Sequence, residues 1–416
     1  MIATIISFSA LLLAVFGMNM GFGLQSTLLG VRAGLESFDL PMIGAIMAVY
    51  FVGYMGGSLF CPRLINQVGH IRTFAAMASL ASASVLLHAT FVEPWTWMVL
   101  RGLTGFCFAG LVMVAESWLN HAANNTNRGS MLATYMVVTL GATSLGQLLL
   151  NTAAPGGFNL FVLVSVLVSI SLVPVTLTRR DAPPLEPTPP MSLKKLYDTS
   201  PSGVVGCLST GMVNGAFWGM GAVFAQMSDM NNQDISMFMA VVVFGGILTQ
   251  WPLGKLSDRM DRRLVIVGIA IAVVISSYGL TVFGHGAGVP ILASGALFGM
   301  AAFPLYAVSI AHVNDQIPAK DFVAASSTLL LIYGIGAALG PLVASAAMSS
   351  FGPRGLFYYT AAVAFLLALY VLQRLFVSSA TVHEAKEDFI AVPRTTPVAL
   401  DMAAAISEER DVEGLE

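Results

Sequence analysis

Gly254-Lys255-Leu256-Ser257-Asp258-Arg259-Met260-Asp261-Arg262-Arg263 carries six charged residues in ten, in a chain where charged residues make up 10%. Apolar runs flank it on both sides, over 237–252 and 264–284. Runs of this order of length cross a lipid bilayer. A knot of mostly positive charge between two of them is a tight turn in water at a membrane face.

Composition sets the class of the whole chain. Of 416 residues, 56% are hydrophobic, and the mean hydropathy is +0.80. Soluble proteins carry about 25% charged residues, so this chain has too few charges to cover a water-facing surface. It is expected to be a polytopic membrane protein. The net charge is −3, and no basic patch with interleaved aromatics occurs, so nucleic acid is not an expected partner. Cys61, Cys107 and Cys207 lie in or beside apolar runs, at spacings that fit neither a metal site nor a disulfide framework. The six histidines are scattered, and no metal site is expected. No Gly-x-x-x-x-Gly-Lys-Ser/Thr phosphate loop is present, so neither an ATP motor nor a cofactor is expected. Nothing resembles a nucleophilic triad or a metalloprotease helix, and an enzyme is not expected.

Residues 1–30 lack a basic leader and carry an apolar run longer than a signal core. They are expected to form the first spanning helix. A span needs about 20 mostly apolar residues, and twelve segments qualify. They are 2–29, 41–60, 73–90, 95–119, 131–153 and 159–177, then 204–227, 237–251, 264–283, 289–312, 323–348 and 356–376. The runs are continuous rather than alternating, which excludes a β-barrel. Between the two sets lies a polar linker with Pro183, Pro184, Pro187, Pro189 and Pro190. Proline blocks helix there and favours extended chain. The expected organisation is an N-terminal six-helix bundle (1–178), a linker (179–201), a C-terminal six-helix bundle (202–376) and a disordered, finally acidic tail (377–416). Of the 19 Lys and Arg, only Arg32 and Arg354 fall in loops on the side away from the linker, and Arg101 lies inside a helix. By the positive-inside rule, the linker and both termini are expected in the cytoplasm.

The two halves repeat. Pro62-Arg63-Leu64-Ile65-Asn66-Gln67-Val68-Gly69-His70-Ile71-Arg72 follows the second span, as the charge knot follows the eighth. At an offset of 192 residues, Leu64 meets Leu256, Asn66 meets Asp258 and Gln67 meets Arg259.

The charge knot resembles the loop signature Gly-x-Leu-x-Asp-Arg-x-Gly-Arg-Arg of the major facilitator superfamily of secondary transporters. It matches at Gly254, Leu256, Asp258, Arg259, Arg262 and Arg263, and departs at Asp261, where the family has glycine. The first-half copy is decayed, with Pro62, Asn66 and Gln67 in place of Gly, Asp and Arg. The resemblance covers about residues 2–376. It implies an all-α polytopic membrane protein of 12 transmembrane helices in two pseudo-symmetric bundles, with the substrate site between them near the midplane. Ala115-Glu116-Ser117 and Asn127-Arg128-Gly129 resemble a poorly characterised subgroup of bacterial inner-membrane permeases.

Ionisable groups inside a bilayer are costly and mark function by default. Two lie on the fourth span. Arg101 sits roughly 9 Å below the outer end of that helix. In the family such an arginine handles protons or substrate charge; the alternatives are a snorkelling side chain or a cap on backbone carbonyls. Glu116 lies 15 residues further on, roughly 22 Å along the axis, too far to pair with Arg101. The resemblance implies a gate in which Glu116 pairs with Arg72 when the protein opens outward. A proton-carrying carboxylate and a plain solvated helix end are the alternatives. It also implies that Asp258 caps the fifth span after Arg128-Gly129-Ser130, and that Arg259, Arg262 and Arg263 hold the loop inside and meet anionic lipid headgroups. Gly336 and Gly340 form a small-x-x-x-small pair for close helix packing, followed by Pro341. The inner helices of this architecture line the cavity, so Asn19, Arg101, Asn214, Trp218 and Tyr306 are the expected substrate or coupling residues.

The expected function is secondary transport of a small molecule by alternating access, proton-coupled by analogy with the family. The expected protein is a monomer with lipid contacts in the bacterial inner membrane. Drug or amphiphile efflux and metabolite uptake are both open. The alternative is a transporter-like receptor or scaffold that signals through its tail.

Overall fold

The computed structural model describes residues 2–123, 128–177, 190–284, 288–318, 321–377 and 395–396, with side chains from Ser9 onward. Among these residues every regular element is a helix. Within lipid, a helix satisfies its backbone polar groups by itself, which is why long apolar runs take this form. The first half crosses as Ile2–Leu35, Leu40–Val68, His70–Thr90, Pro94–Ala122, Arg128–Leu148 and Asn159–Thr176. After a short linker helix, Leu193–Thr199, the second half crosses as Pro201–Met227, Asn232–Arg259, Arg262–Phe283, the pair Val289–Ala302 and Leu305–Asn314, Phe322–Phe351, and Gly355–Val377. These are the first to twelfth spans below. The linker helix departs from the extended chain expected of 179–201. It begins only after Pro190, and Pro183, Pro184, Pro187 and Pro189 lie outside the described residues.

Eleven of the spans are long and apolar enough to cross a membrane. The seventh, Pro201–Met227, is long enough at 27 residues, about 40 Å, but is diluted by Gly, Ser, Thr and Asn. Most of it is buried among other helices. A span surrounded by protein need not be apolar. The molecule's outside is the reverse: Val99, Ile170, Tyr278, Leu366 and Phe376 stand exposed, as suits lipid rather than water.

The packing repeats between the halves. The first span packs on the fifth and sixth as the seventh packs on the eleventh and twelfth. The second packs on the fourth as the eighth packs on both pieces of the tenth, and the third packs on the sixth as the ninth packs on the twelfth. Across the halves, the second meets the eleventh and the fifth meets the eighth. Three side-chain bonds that join the halves lie at the ends away from the linker. Gln226 donates to the carbonyl of Val31 at 3.1 Å, Ser144 to that of Ala240 at 2.9 Å, and Asn151 Nδ2 to Ser236 Oγ at 2.7 Å.

The most extensive contact, between the seventh and eleventh spans, is made by backbone. A methyl on Gly340 would overlap main-chain atoms of Met212 and Ala216, and one on Gly215 those of Ala337. Gly211 and Gly336 meet main chain in the same way. The expected Gly336/Gly340 packing stripe therefore exists, and its partner is a glycine stripe on the seventh span. The tenth span, expected to be continuous over 289–312, breaks at Phe303-Pro304. Pro304 has no N–H to give the carbonyl of Met300. Thr249 of the eighth span donates to that carbonyl instead, at 2.5 Å.

The turns are shorter than the charge pattern suggests. The eighth helix runs through the charged stretch to Arg259 and stops at Met260-Asp261. The second runs to Val68 and stops at Gly69 alone, in the left-handed region at φ +89°. Helices continue beyond the lipid because water accepts their charged side chains, so the end of an apolar run is not the end of the helix.

Gly340→Leu is expected to destabilise the protein by at least about 1–3 kcal/mol, the usual cost of overpacking, and to lower the melting temperature in detergent. Gly141→Ala, where a methyl meets nothing within 4 Å, is expected to leave it unchanged. Thr249→Val removes the donor to the Met300 carbonyl and is expected to cost about 1 kcal/mol in the same melts.

Candidate functional site

The fourth span carries both expected ionisable groups, and both are buried: Arg101 at 4% exposure and Glu116 at 0%. The helix begins at Pro94, so Arg101 lies two turns in. Its guanidinium carbon stands 4.3 Å from the centre of the Tyr50 ring. Arg101 Nε and Nη1 have no hydrogen-bond partner. A buried cation over a ring gains about 2 kcal/mol. Removing it from water costs several kcal/mol, so Tyr50 alone does not compensate the charge.

Around this position the walls are aromatic. Phe22 of the first span contacts Tyr50, Phe108 and Trp218, with ring centres 5.6–5.8 Å apart. Trp218 of the seventh span stacks on Phe303 at the break in the tenth, at 6.0 Å. Tyr50 continues to Tyr54 at 6.1 Å, and Tyr306 meets Tyr333 edge-on at 5.0 Å. The expected residues are thus unequal. Trp218 joins the halves through Phe22. Tyr306 is fully buried against Tyr333. Asn214 is fully buried, and neither of its amide atoms has a partner. Asn19 is turned to its own helix, donating to Val15 O at 2.8 Å. Phe22, Phe303 and Tyr333 were not singled out by polarity, because an aromatic on an apolar span looks like packing until its neighbours are known.

Near the linker end, Glu116 Oε1 accepts from the Tyr135 hydroxyl at 2.8 Å. Thr395 donates to the same oxygen and Thr396 to Oε2. Arg72 is exposed, so the Glu116–Arg72 pair expected for an outward opening is not formed here: a fully buried carboxylate is out of reach of a side chain held in solvent. Beside Glu116, Ser117 bonds His70 Nε2 at 2.8 Å, and Trp118 stacks on the His70 ring.

In the charged stretch, Arg262 is the hub. Its Nε donates to Asp315 at 2.8 Å, and its Nη1 to Ser257 at 2.8 Å and Asp258 at 3.1 Å. Asp258 is thus bound to the residue four positions on. The fifth span begins at Arg128. Asp261 has a reason to replace glycine. It caps the ninth span, accepting from Arg263 N at 2.9 Å, and holds the Arg263 guanidinium at 2.8 Å. Its φ of −57° needs no glycine. Burial would raise the Asp261 carboxyl, but its bonds to Arg263 hold it below the usual range. Stability from this pair is present at neutral pH and is lost as pH falls through that lowered value. Arg263 Nη1 also reaches the carbonyl of Arg374 at 3.5 Å, in the last turn of the twelfth span. Gly254 is buried and accepts from Ser257, while Arg259 is exposed. Among the described residues, no His, Cys, Asp and Glu group is arranged to hold a metal.

The model of the Major Facilitator Superfamily matches residues 6–228 and 199–403, nearly the whole chain. The chain belongs to this superfamily. It is 29% identical to "Uncharacterized MFS-type transporter YcaD" of Escherichia fergusonii, over 86% of this chain and 92% of that protein. It is 30% identical to the protein of the same name in Salmonella newport, over 82% and 88%. Among solved structures, a mutant of nucleoside transporter NupG superposes with a TM-score of 0.76 at 12% identity, covering 89% of this chain and all of that one. A bacterial homologue of the human lysosomal transporter Spinster, inward-facing and occupied, gives 0.66 at 16% identity, covering 91% and 97%. These likenesses identify the fold. The chain is a multi-pass bacterial membrane protein of a transporter family, in a poorly characterised subgroup.

The charged stretch makes a graded prediction. The Arg262 and Asp315 side chains are 0% and 1% exposed, and Asp258 is 26% exposed. Asp315→Ala leaves a buried cation short of its main partner and is expected to cost about 3–5 kcal/mol. Asp258→Ala is expected to cost at most about 1 kcal/mol. Melting curves of the purified variants check the order; equal losses would overturn it.

Proposed function

We propose that this superfamily member is a secondary transporter working by alternating access, with Arg101 as the group that meets an anionic or zwitterionic small molecule. The observation that carries this is the Arg101 guanidinium, buried inside a span with two nitrogens unpartnered. A ligand carboxylate or phosphate would supply the missing acceptors and counter-charge. The aromatic walls at Tyr50, Phe22 and Trp218 suit an apolar or ring-bearing body on that ligand. Asn214, with both amide atoms unpartnered, offers a donor and an acceptor from the opposite half. Tyr306 and Asn19 complete the candidate set.

Alternating access is supported by three bonds between the halves at the ends away from the linker. In this reading the structure is closed on that side, and the linker side is the cytoplasmic one. Gly254, Asp258, Arg259, Arg262 and Arg263 brace that side within the second half, and Glu116 with Arg72 serves the other conformation. Glu116 is also the proposed carrier of a coupling proton, being the carboxylate buried deepest in a span on the first half. The receptor alternative has no contact in its favour that transport does not also explain.

The test begins with thermal-shift screening of the purified protein against carboxylate and phosphate solutes. A ligand at 100 times its Kd stabilises by about 2.7 kcal/mol. Arg101→Ala is expected to abolish the shift given by any anionic hit, and Arg101→Lys to keep part of it. The hit is then expected to accumulate in proteoliposomes under an imposed pH gradient and not without one. A hit whose shift and flux survive Arg101→Ala would overturn the role of Arg101.

A further inference from the structure

Thr395 and Thr396 lie 279 and 280 residues from Glu116 in sequence, yet both bond its carboxylate. Thr396 is fully buried. One dipeptide thus gives two hydroxyl donors to one carboxylate. The Tyr135 hydroxyl gives a third, at 2.8 Å. Glu116 is held by the fourth span and Tyr135 by the fifth. Without the dipeptide, Oε2 would lose its hydroxyl partner inside a fully buried site. We infer that Thr395-Thr396 is an internal ligand: the C-terminal tail docks its paired hydroxyls on the Glu116–Tyr135 site and occupies the first half from the linker side.

The chain's geometry permits this. The twelfth span ends at Val377, on the linker face. Eighteen further residues reach Thr395, and extended chain covers roughly 3.3 Å per residue, a reach of about 60 Å. Closing a loop of this kind has an entropic cost that grows only slowly with its length. A tethered ligand acts at an effective concentration of order millimolar. A free molecule presenting the same donors with the same affinity must therefore exceed roughly millimolar concentration to displace the tail. The inference stands apart from the role of Arg101, about 22 Å away along the fourth helix, and needs no knowledge of what is transported.

Hydrogen exchange of the full-length protein in detergent tests it. The peptide containing Thr395-Thr396 is expected to exchange at least about tenfold more slowly than free chain, since a buried N–H must open before it exchanges. Glu116→Ala is expected to remove that protection. Thr395→Val/Thr396→Val is expected to do the same while leaving protection across the seventh and eleventh spans intact. A synthetic peptide of residues 390–400, added to the full-length Thr395→Val/Thr396→Val protein, is expected to change the fluorescence of Trp118, next to Glu116. It is expected to bind far less to the wild type, whose site is filled, and not at all when Glu116→Ala is added. Free-chain exchange of the Thr395-Thr396 peptide in the wild type would overturn the inference. So would protection that persists in Glu116→Ala. The threonine variants change no residue of the spans, so a folding defect in Glu116→Ala alone leaves the question answerable.

Discussion

Backbone touches backbone where the seventh and eleventh spans cross, and the rest of the second half is built outward from that contact. Inside lipid there is no hydrophobic gain from bringing two apolar helices together, so packing and small residues have to hold them. Gly211, Gly215, Gly336 and Gly340 supply the closest possible approach. The same device recurs where Gly23 and Gly146 bring the first and fifth spans together, and where Gly53, Gly57 and Gly105 join the second to the fourth. With its sides sealed by main chain, the seventh span can carry Asn214 and Trp218 at its centre. The polarity that takes it out of the apolar class is the consequence of its burial.

The two halves share this packing but not their chemistry at the linker face. At the 192-residue offset, Gly69 stands where Asp261 does, and His70 where Arg262 does. The second half uses charge: Arg262 gathers Ser257, Asp258 and Asp315, and Asp261 caps the next helix and holds Arg263. The first half turns on a left-handed glycine and a hydrogen bond between His70 and Ser117. A charged hub ties one end of the second half rigidly. Its uncharged counterpart leaves the corresponding end of the first half to Glu116, whose partners are hydroxyls.

Helix number, order and family were legible because lipid demands long apolar runs, and because charge collects where helices leave it. The seventh span was found by length and relative apolarity although protein, not lipid, surrounds it. Arg101 and Glu116 were legible for the opposite reason: a charge is conspicuous where almost none occurs. Helix ends were less legible, since hydropathy marks the edge of lipid while the helix goes on into water, as at Gly254–Arg259. The break at Pro304 was hidden because proline occurs within intact helices here too, at Pro62 and Pro252. What separates the cases is a turn lost at Phe303, which no single residue type announces. The aromatic walls and the threonine pair were illegible for one shared reason. Phe22, Tyr333, Thr395 and Thr396 are ordinary residues whose importance comes only from partners far away in sequence.

Arg101 and Glu116 stand on one rigid helix, two turns from one end and under two from the other. Neither has an oppositely charged side chain as its partner: Arg101 faces a ring, Glu116 faces hydroxyls. A helix carrying two separated opposite charges can satisfy them only through its surroundings, and those surroundings differ. The aromatic walls around Arg101 cannot donate or accept strongly, so that end stays unsatisfied until something with an acceptor arrives. The hydroxyls around Glu116 satisfy it already, and two of the three come from Thr395-Thr396, far away in sequence. The same helix thus holds one buried charge with two nitrogens short of an acceptor and one whose carboxylate is already bonded by hydroxyls.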